Sequence, residues 1–480
     1  MSILVIDVGT SGVRAAVVRP DATVAVEARI EVLPDSPAPG LVEFDAAAMA
    51  DAALDVARRV LAEGGPVEAV GIANQRASVV VWDRATGEPV APALGWQDLR
   101  TVGDCLTLQA DGLRLAPNQS ATKIAHLLDA ADPDRTRDLC AGTVDAWITW
   151  HLTGGTTHVT DLTNAAVTGL LDGPATGWDA AVLDRLRIPA GTLPRLVDSS
   201  GPIAEASALP GAPPICGLAG DQQASLIGQG CVAPGPAKIT FGTGGMLDLV
   251  TGPERPVAAA RSEGGTFPIV TWRRGDELVW GLEAIMLSAG TNVEWLRDDM
   301  GLIPTVAESH DVAQGCTDTE GVVYVPALLG LGTPHWDYGA RGTLLGVTRG
   351  TGRAHVVRAV LEGVAHRGAD LVEAAAADAG QDIDALRVDG GMSDNPTFVQ
   401  ALADATGRRV EVSPVTEATT LGAAYLAGLA IGTWGGWDDV AATWSPRVVV
   451  DPASEPDRDR WQRAVARARE WYPELSGLDF

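Results

Sequence analysis

Lysine is almost missing from this chain: of 480 residues only Lys123 and Lys238 are lysines, and arginine supplies the rest of the 35 fixed positive charges. Surface charge rarely needs one of these cations over the other, so the scarcity reads as a lineage bias with no functional content of its own. Net positive charge is absent too. Against Lys+Arg 35 stand Asp+Glu 62, a formal charge of −27, and such a field repels phosphate backbones and anionic lipid, which argues against nucleic-acid and membrane partners. Cysteine is sparse: Cys105, Cys140, Cys216, Cys231 and Cys316 are scattered, odd in number and never spaced C-x-x-C. That excludes a disulfide framework and a thiolate metal centre, and points to a reducing cytosol, hence a cytoplasmic protein. No apolar run approaches the ~18 residues of a membrane span. The first apolar stretch, Ile3 to Ile6, lacks a basic lead-in and is interrupted by Asp7, so it reads as a strand and not as a secretory leader.

What is present is length and alternation. At roughly 100–200 residues per domain the chain allows two to four domains, with ample material for a core. Ile3-Leu4-Val5-Ile6, the turn Asp7-Val8-Gly9-Thr10-Ser11-Gly12 and Val13 to Val18 predict a hairpin with a glycine-rich polar tip. A helix is expected from Asp45 as N-cap through Met49, Leu54, Val56 and Leu61 to Gly64-Gly65. Strands are expected over Val67 to Ala73 and Ser78 to Trp82, and a helix after Lys123, an alternation that predicts an α/β layer architecture. Near the middle the opening pattern returns: Ala237 to Phe241, the turn Gly242-Thr243-Gly244, then Gly245 to Val250. The Pro- and Gly-rich segments Pro210 to Pro214 and Pro234 to Pro236 bracket the junction, so two domains are expected, 1–230 and 231–480. Later, Val356, Val357, Val360, Leu361 and Val364 recur at helical spacing before the strand Ala385 to Val388 and the turn Asp389-Gly390-Gly391. Trp461 and Trp471 are expected to pack a terminal helix.

Glycine-threonine turns closing strand hairpins can aim several backbone N–H groups inward, and such a donor cluster suits a polyphosphate. One such turn is only a tight turn; two, each opening one half of the chain, imply facing phosphate clamps with a cleft between. The turn Asp389-Gly390-Gly391, with Asn395, would let a flat base and ribose pass close over backbone. A nucleotide cleft follows. Its spacing matches neither a Walker A loop nor a G-x-G-x-x-G fingerprint. The loop His335-Trp336-Asp337, and His151 and His158, offer no second ligand at metal spacing and read as structural.

These stretches, with Asn74-Gln75-Arg76, Gly142-Thr143-Val144-Asp145, Thr160 to Ala165, Ala219-Gly220-Asp221-Gln222-Gln223, Leu296-Arg297-Asp298 and Leu421 to Tyr425, resemble the FGGY family of carbohydrate kinases, and most of all its glycerol kinase branch. Nearly the whole chain is covered. The family's C-terminal signature is met by Gly342-x-Leu344-x-Gly346-Val347 and His355-Val356-x-x-Ala359-Val360-Leu361-Glu362. The N-terminal one, Ser120 to His126, has His126 where Trp is expected. The resemblance implies a two-domain α/β, ribonuclease H-like fold of the sugar kinase, chaperone and actin superfamily with a central nucleotide cleft. It implies ATP and Mg2+, and as partner a small polyol or ketose, with a homodimer as a further expectation. On this resemblance Thr10, Ser11 and Arg14 face the phosphates from the first hairpin and Gly242 and Thr243 from the second. Gly290, Glu294, Gly391 and Asn395 form the nucleotide side. Asp7 orients Mg2+ largely through water. Asp221 is the catalytic base, accepting the proton of the attacking hydroxyl, and Gln222 hydrogen-bonds the acceptor. Read alone, Asp221 could instead cap a helix beginning at Gln222.

The acceptor pocket of the branch holds an Arg-Glu pair, a Trp, a Tyr, an Asp-Gln pair and a Phe. This chain has Arg76, Trp96, Asp221 and Gln222, but Ala77 stands in place of the Glu, Asn118 in place of the Tyr and Met246 in place of the Phe. A lost carboxylate and two smaller side chains predict an altered acceptor of four or five carbons, with glycerol as the alternative. The segment Ala206 to Pro213 lacks the basic Gly-Lys loop that binds fructose 1,6-bisphosphate in regulated members. A nucleotide-switched binding protein or a pseudokinase on the same fold are the competing readings.

Overall fold

Strands buried on both faces need apolar residues at consecutive positions, and Ile3, Leu4, Val5 and Ile6 are all fully buried. The computed structural model describes residues 1–257, 260–415 and 418–479. In it Ile3–Gly9 and Gly12–Val18 form the expected hairpin, Gly9 facing Gly12 across the turn. The six-stranded sheet built on this hairpin runs Val24–Glu31, Gly12–Val18, Ile3–Gly9, Ala69–Asn74, Pro214–Gly220, Ser200–Glu205. Its first three strands are antiparallel neighbours, and Ile3–Gly9, Ala69–Asn74 and Pro214–Gly220 are parallel.

The second half repeats that order. Glu277–Met286, Gly245–Gly252 and Ala237–Phe241 are antiparallel, and Ala237–Phe241, Leu386–Asp389 and Val410–Val412 are parallel, with Phe267–Arg274 and Val448–Val450 added at the edges. Parallel neighbours need crossover connections, and helices supply them. Ala46–Gly64 packs on the first sheet, capped by the Asp45 carboxylate, which accepts the Ala48 N–H at 2.9 Å, and closed by Gly65 at φ 82°. The 27-residue helix Arg353–Ala379 packs on the second.

Two helices join the halves. Asp221–Gly228 continues directly from the strand Pro214–Gly220, and Ala418–Ile431 crosses it. The crossing is at backbone contact: a Cβ on Gly422 would lie 1.8 Å from the Ala224 carbonyl oxygen, and one on Gly228 1.8 Å from that of Ala418. Although Ala418–Ile431 comes late in the chain, it lies on the first sheet. There the missing side chains of Gly71 and Gly217 admit Ala423 and Ala427.

The chain between Asn74 and Thr143, joined by the earlier short strand Glu43–Phe44, builds an accessory antiparallel sheet in the order Glu43–Phe44, Ala93–Leu94, Val79–Asp83, Leu139–Thr143, backed by the helix Ala121–Ala131. His158 packs 4.9 Å from the Trp82 ring and is pushed down to about 4 by burial; His151 packs 4.1 Å from Trp147. Both are half-buried, packed against core tryptophans. His335 is likewise pushed down by burial, also to about 4. Trp461 is fully buried in the helix Arg458–Ala468, but Trp471 is 65% exposed. The helix ends at Ala468, and Glu470, at φ 56°, turns Trp471 away from it. Among the described residues no helix is long and apolar enough to cross a membrane, and all five cysteines are free.

Candidate functional site

A short loop after the strand Ala69–Asn74 carries Arg76 and Ala77 to the rim of the first sheet, beside the point where Pro214–Gly220 runs into Asp221. Open α/β sheets place ligands at the carboxyl ends of their parallel strands. Here a cavity of about 330 Å3 opens at that end, lined by Thr10, Arg76, Ala77, Trp96, Asn118, Asp221, Gln222 and Met246. All seven residues expected to read the acceptor are therefore brought together, with the tip of the first hairpin beside them.

Asp221 is the first residue of its helix, with Gly220 as N-cap, and its Oδ1 accepts the Gln222 N–H at 2.8 Å. Helix start and cavity wall are thus the same carboxylate, 31% of its side chain remaining open to solvent. Arg76 Nε lies 3.5 Å from Asp221 Oδ1. Burial raises the Asp221 carboxyl above its ordinary value, while the charges of Arg76 and Lys238 pull it down.

The two lysines correct their sequence reading, for both are fully buried and both hold walls of this cavity. Lys123 Nζ donates to the carbonyl oxygens of Gly95 at 3.0 Å, Trp96 at 3.2 Å and Asn118 at 3.3 Å. Lys238 Nζ donates to Gln222 Oε1 at 2.7 Å and lies 2.8 Å from Asp248 Oδ2. A compact ammonium with three rotatable donors suits three convergent acceptors, which the flat fork of arginine does not. Burial pushes Lys123 down to about 7. Lys123→Met should leave three buried carbonyls short of a donor, costing about 1–3 kcal/mol of stability, read as a lower denaturant midpoint; an unchanged midpoint would count against this role.

Glu283, on the strand Glu277–Met286, is a residue the sequence reading missed. It lines the cavity from the second half, and its Oε2 accepts Arg76 Nη2 at 2.5 Å. The signal available was an acid inside the apolar run Leu278 to Met286, at a register position paired with Asp248.

The residues expected to hold nucleotide do not line this cavity, apart from Thr10. Those of the second half gather around its hairpin: Gly290 N–H donates to Gly242 O at 2.9 Å, Ala289 N–H to Thr243 O at 2.8 Å, and Gly390 packs on Phe241. Gly242 and Gly391 have open space where a Cβ would stand, so a phosphate or ribose can approach backbone there. Glu294 is exposed on the helix Thr291–Asp298. Asn395 is engaged in the fold, its Oδ1 accepting the Phe398 N–H at 3.1 Å and its Nδ2 donating to Ser309 Oγ at 2.9 Å. In the first hairpin Arg14 pairs in register with Asp7, and Ser11 Oγ accepts from Arg29 at 2.9 Å.

Asp7 is pushed up to about 7 by burial and by the charge of Asp221. No group of three acidic, histidine or cysteine side chains that could hold a metal occurs among the described residues. A hard cation held by Asp7, phosphate oxygens and water fits that donor set. A second cavity, of about 470 Å3, lies among helices of the second half; it contains none of the expected residues, and its Arg358 and Glu362 pair with each other.

The N-terminal domain model of the FGGY family of carbohydrate kinases matches residues 2–228, and the C-terminal domain model residues 237–431. The glycerol kinase of Aromatoleum aromaticum is 42% identical over 98% of this chain and 99% of that protein, and that of Trichlorobacter lovleyi 43% over 98% and 99%. Among solved structures, Plasmodium falciparum glycerol kinase with ADP superposes with a TM-score of 0.90 at 29% identity, covering 97% of this chain and 98% of that one. A xylulose kinase from Brucella ovis gives 0.85 at 25% identity, with full coverage of both.

Proposed function

The chain belongs to the FGGY family of carbohydrate kinases, and on that premise we propose that it transfers the γ-phosphoryl group of ATP to a primary hydroxyl of a small polyol or ketose, preferring a four- or five-carbon acceptor. The observation that carries this reading is the meeting of Asp221, Arg76 and the tip of the first hairpin in one cavity. Phosphoryl transfer needs the nucleophile held in line, the phosphate charge met and a base close to the acceptor hydroxyl. Asp221 is that base. As the acceptor oxygen bonds to the γ-phosphorus, the bond from phosphorus to the bridging oxygen breaks, its electron pair leaves with ADP, and the hydroxyl proton passes to the Asp221 carboxylate. Because the proton is shed only as bonding to phosphorus proceeds, a carboxylate suffices. Thr10, Ser11 and Arg14 from one hairpin and Gly242 and Thr243 from the other clamp the phosphates. Gly290, Glu294, Gly391 and Asn395 border the nucleoside. Mg2+, when bound at Asp7, neutralises phosphate charge. Domain limits of 1–230 and 231–480 and a cytoplasmic setting belong to the same reading.

Two readings of the acceptor differ. The relatives at about 40% identity are glycerol kinases, which favours glycerol. The pocket favours a longer chain: Ala77, Asn118 and Met246 line it, and the cavity continues to Leu113, Arg255 and Phe267. Its volume falls at the small end of the range for ligand sites. Coupled ADP release over C3 to C6 polyols and ketoses should therefore give a higher kcat/KM for a C4 or C5 acceptor than for glycerol. The triple change Ala77→Glu, Asn118→Tyr, Met246→Phe should move preference toward glycerol. If wild type favours glycerol over every C4 and C5 compound, the longer acceptor is discarded and the kinase reading stands.

A further inference from the structure

The acceptor cavity has lost one carboxylate at Ala77, yet it still contains one besides the Asp221 base. Glu283 enters it from the second half of the chain. Its side chain is 7% exposed; Oε2 is engaged by Arg76 at 2.5 Å, and the carboxyl also meets Asp248 across the strand pair, burial and that acid pushing it up to about 7. A carboxylate offers about four lone-pair sites across its two oxygens, so acceptor capacity remains.

We propose that Glu283 is a specificity-determining residue, its carboxylate accepting a hydrogen bond from an acceptor hydroxyl next to the one phosphorylated and so doing from the second half what Ala77 cannot do from the first. This rests on the polyol-kinase reading and sharpens it. Arg76 lies between Asp221 and Glu283, its Nε toward one and its Nη2 on the other. A guanidinium and a carboxylate side by side form a donor-acceptor pair, which matches a vicinal diol: one hydroxyl oxygen accepts from Arg76 while the neighbouring hydroxyl donates to Glu283. The substrate class is therefore a polyol or ketose with a free hydroxyl adjacent to the phosphorylated carbon. The charges around Glu283 are Arg76, itself beside Asp221, and Asp248 with its buried partner Lys238. The bland alternative is that Glu283 merely neutralises Arg76.

The experiment compares wild type, Glu283→Gln, Glu283→Asp and the double variant Glu283→Gln with Ala77→Glu, each checked for native circular dichroism. The probes are the best acceptor of the C3 to C6 panel and its deoxy analogue lacking the adjacent hydroxyl. Wild type should discriminate against the analogue, because a site built to bond a hydroxyl leaves buried groups unpaired without it. Glu283→Gln should raise KM for the acceptor about 10- to 100-fold with a smaller change in kcat, as expected for loss of one charge-assisted hydrogen bond. It should also erase most of the discrimination. Glu283→Asp should restore part of it, and the added Glu at position 77 should bring KM back toward wild type. A neutralising role for Glu283 would move stability without moving the discrimination ratio. Unchanged discrimination in Glu283→Gln overturns the assignment and leaves the kinase reading intact. If wild type neither phosphorylates nor binds any panel member in calorimetry, the polyol reading falls and this assignment with it.

Discussion

Asp221→Asn should lose roughly 100- to 10,000-fold in turnover while nucleotide still binds. The substitution keeps the shape of the side chain and an oxygen that can accept the Gln222 N–H, now received by Asp221 Oδ1 at 2.8 Å, so the helix start is retained. What disappears is the group that takes the proton. The hairpin turns at Thr10 and Thr243 are untouched, and calorimetric titration with a nonhydrolysable ATP analogue should give an affinity near that of wild type. Turnover within tenfold of wild type would remove Asp221 from its role. The pH dependence carries the same assignment. Only the ionised carboxylate can accept a proton, and burial holds this one above its ordinary value. Wild-type kcat/KM should then fall on the acid side with its midpoint above the ordinary ~3.9 of aspartate, and that limb should be absent from the residual activity of the variant.

Gly422→Ala should be among the most damaging methyls that can be added to the fold outside the site. Its Cβ would lie 1.8 Å from the carbonyl oxygen of Ala224, and the atoms next nearest are also backbone. No side chain can rotate away, so the helices Ala418–Ile431 and Asp221–Gly228 must separate. Overpacking of this kind costs about 1–3 kcal/mol. Gly228→Ala meets the Ala418 carbonyl at the same distance, and because both act at one crossing the double variant should fall short of the sum. Asp221 begins one of the two helices, so kcat should fall along with the thermal midpoint. Full activity and an unshifted midpoint in both single variants would mean that the crossing is looser than described.

How much of this was legible in the sequence depends on how local the signal was. The two hairpins are, since β-branched runs around a Gly-Thr turn have few other solutions. The helix start at Asp45 is legible for the same reason, the cap being three residues from the N–H it accepts. Asp221 needed the wider family match, because alone it is also a helix opener, and the structure makes it one. Glu283, Lys123 and Lys238 were not legible as parts of the cavity. Glu283 and Lys123 draw partners from distant segments, Arg76 being 207 positions from Glu283 and Lys123 reaching back 28 positions to Gly95, whereas Lys238 pairs with Asp248 across its own hairpin and meets the cavity only through Gln222, outside that hairpin. The lysines were discounted because their rarity invited an explanation in composition, whereas burial gives one in geometry. Trp471 failed in the opposite direction. A large aromatic near a terminal helix invites packing, but one residue with positive φ, Glu470, sends it to the surface.

The helix Ala418–Ile431 has a consequence for anyone who would divide this chain. By sequence it belongs to the second half, yet it covers the first sheet, where Ala423 O and Ala427 N stand 2.2 Å and 2.7 Å from the places a Cβ would take on Gly71 and Gly217. A fragment ending at the junction near residue 230 would carry that sheet with a bare apolar trough, and the complementary fragment would carry a greasy helix with nothing to lie against. Expressed separately, each piece would expose a surface fitted to the other. The halves repeat one pattern of strands, but they mature as a single body: the opening sheet cannot be closed until the ribosome has made residues 418–431.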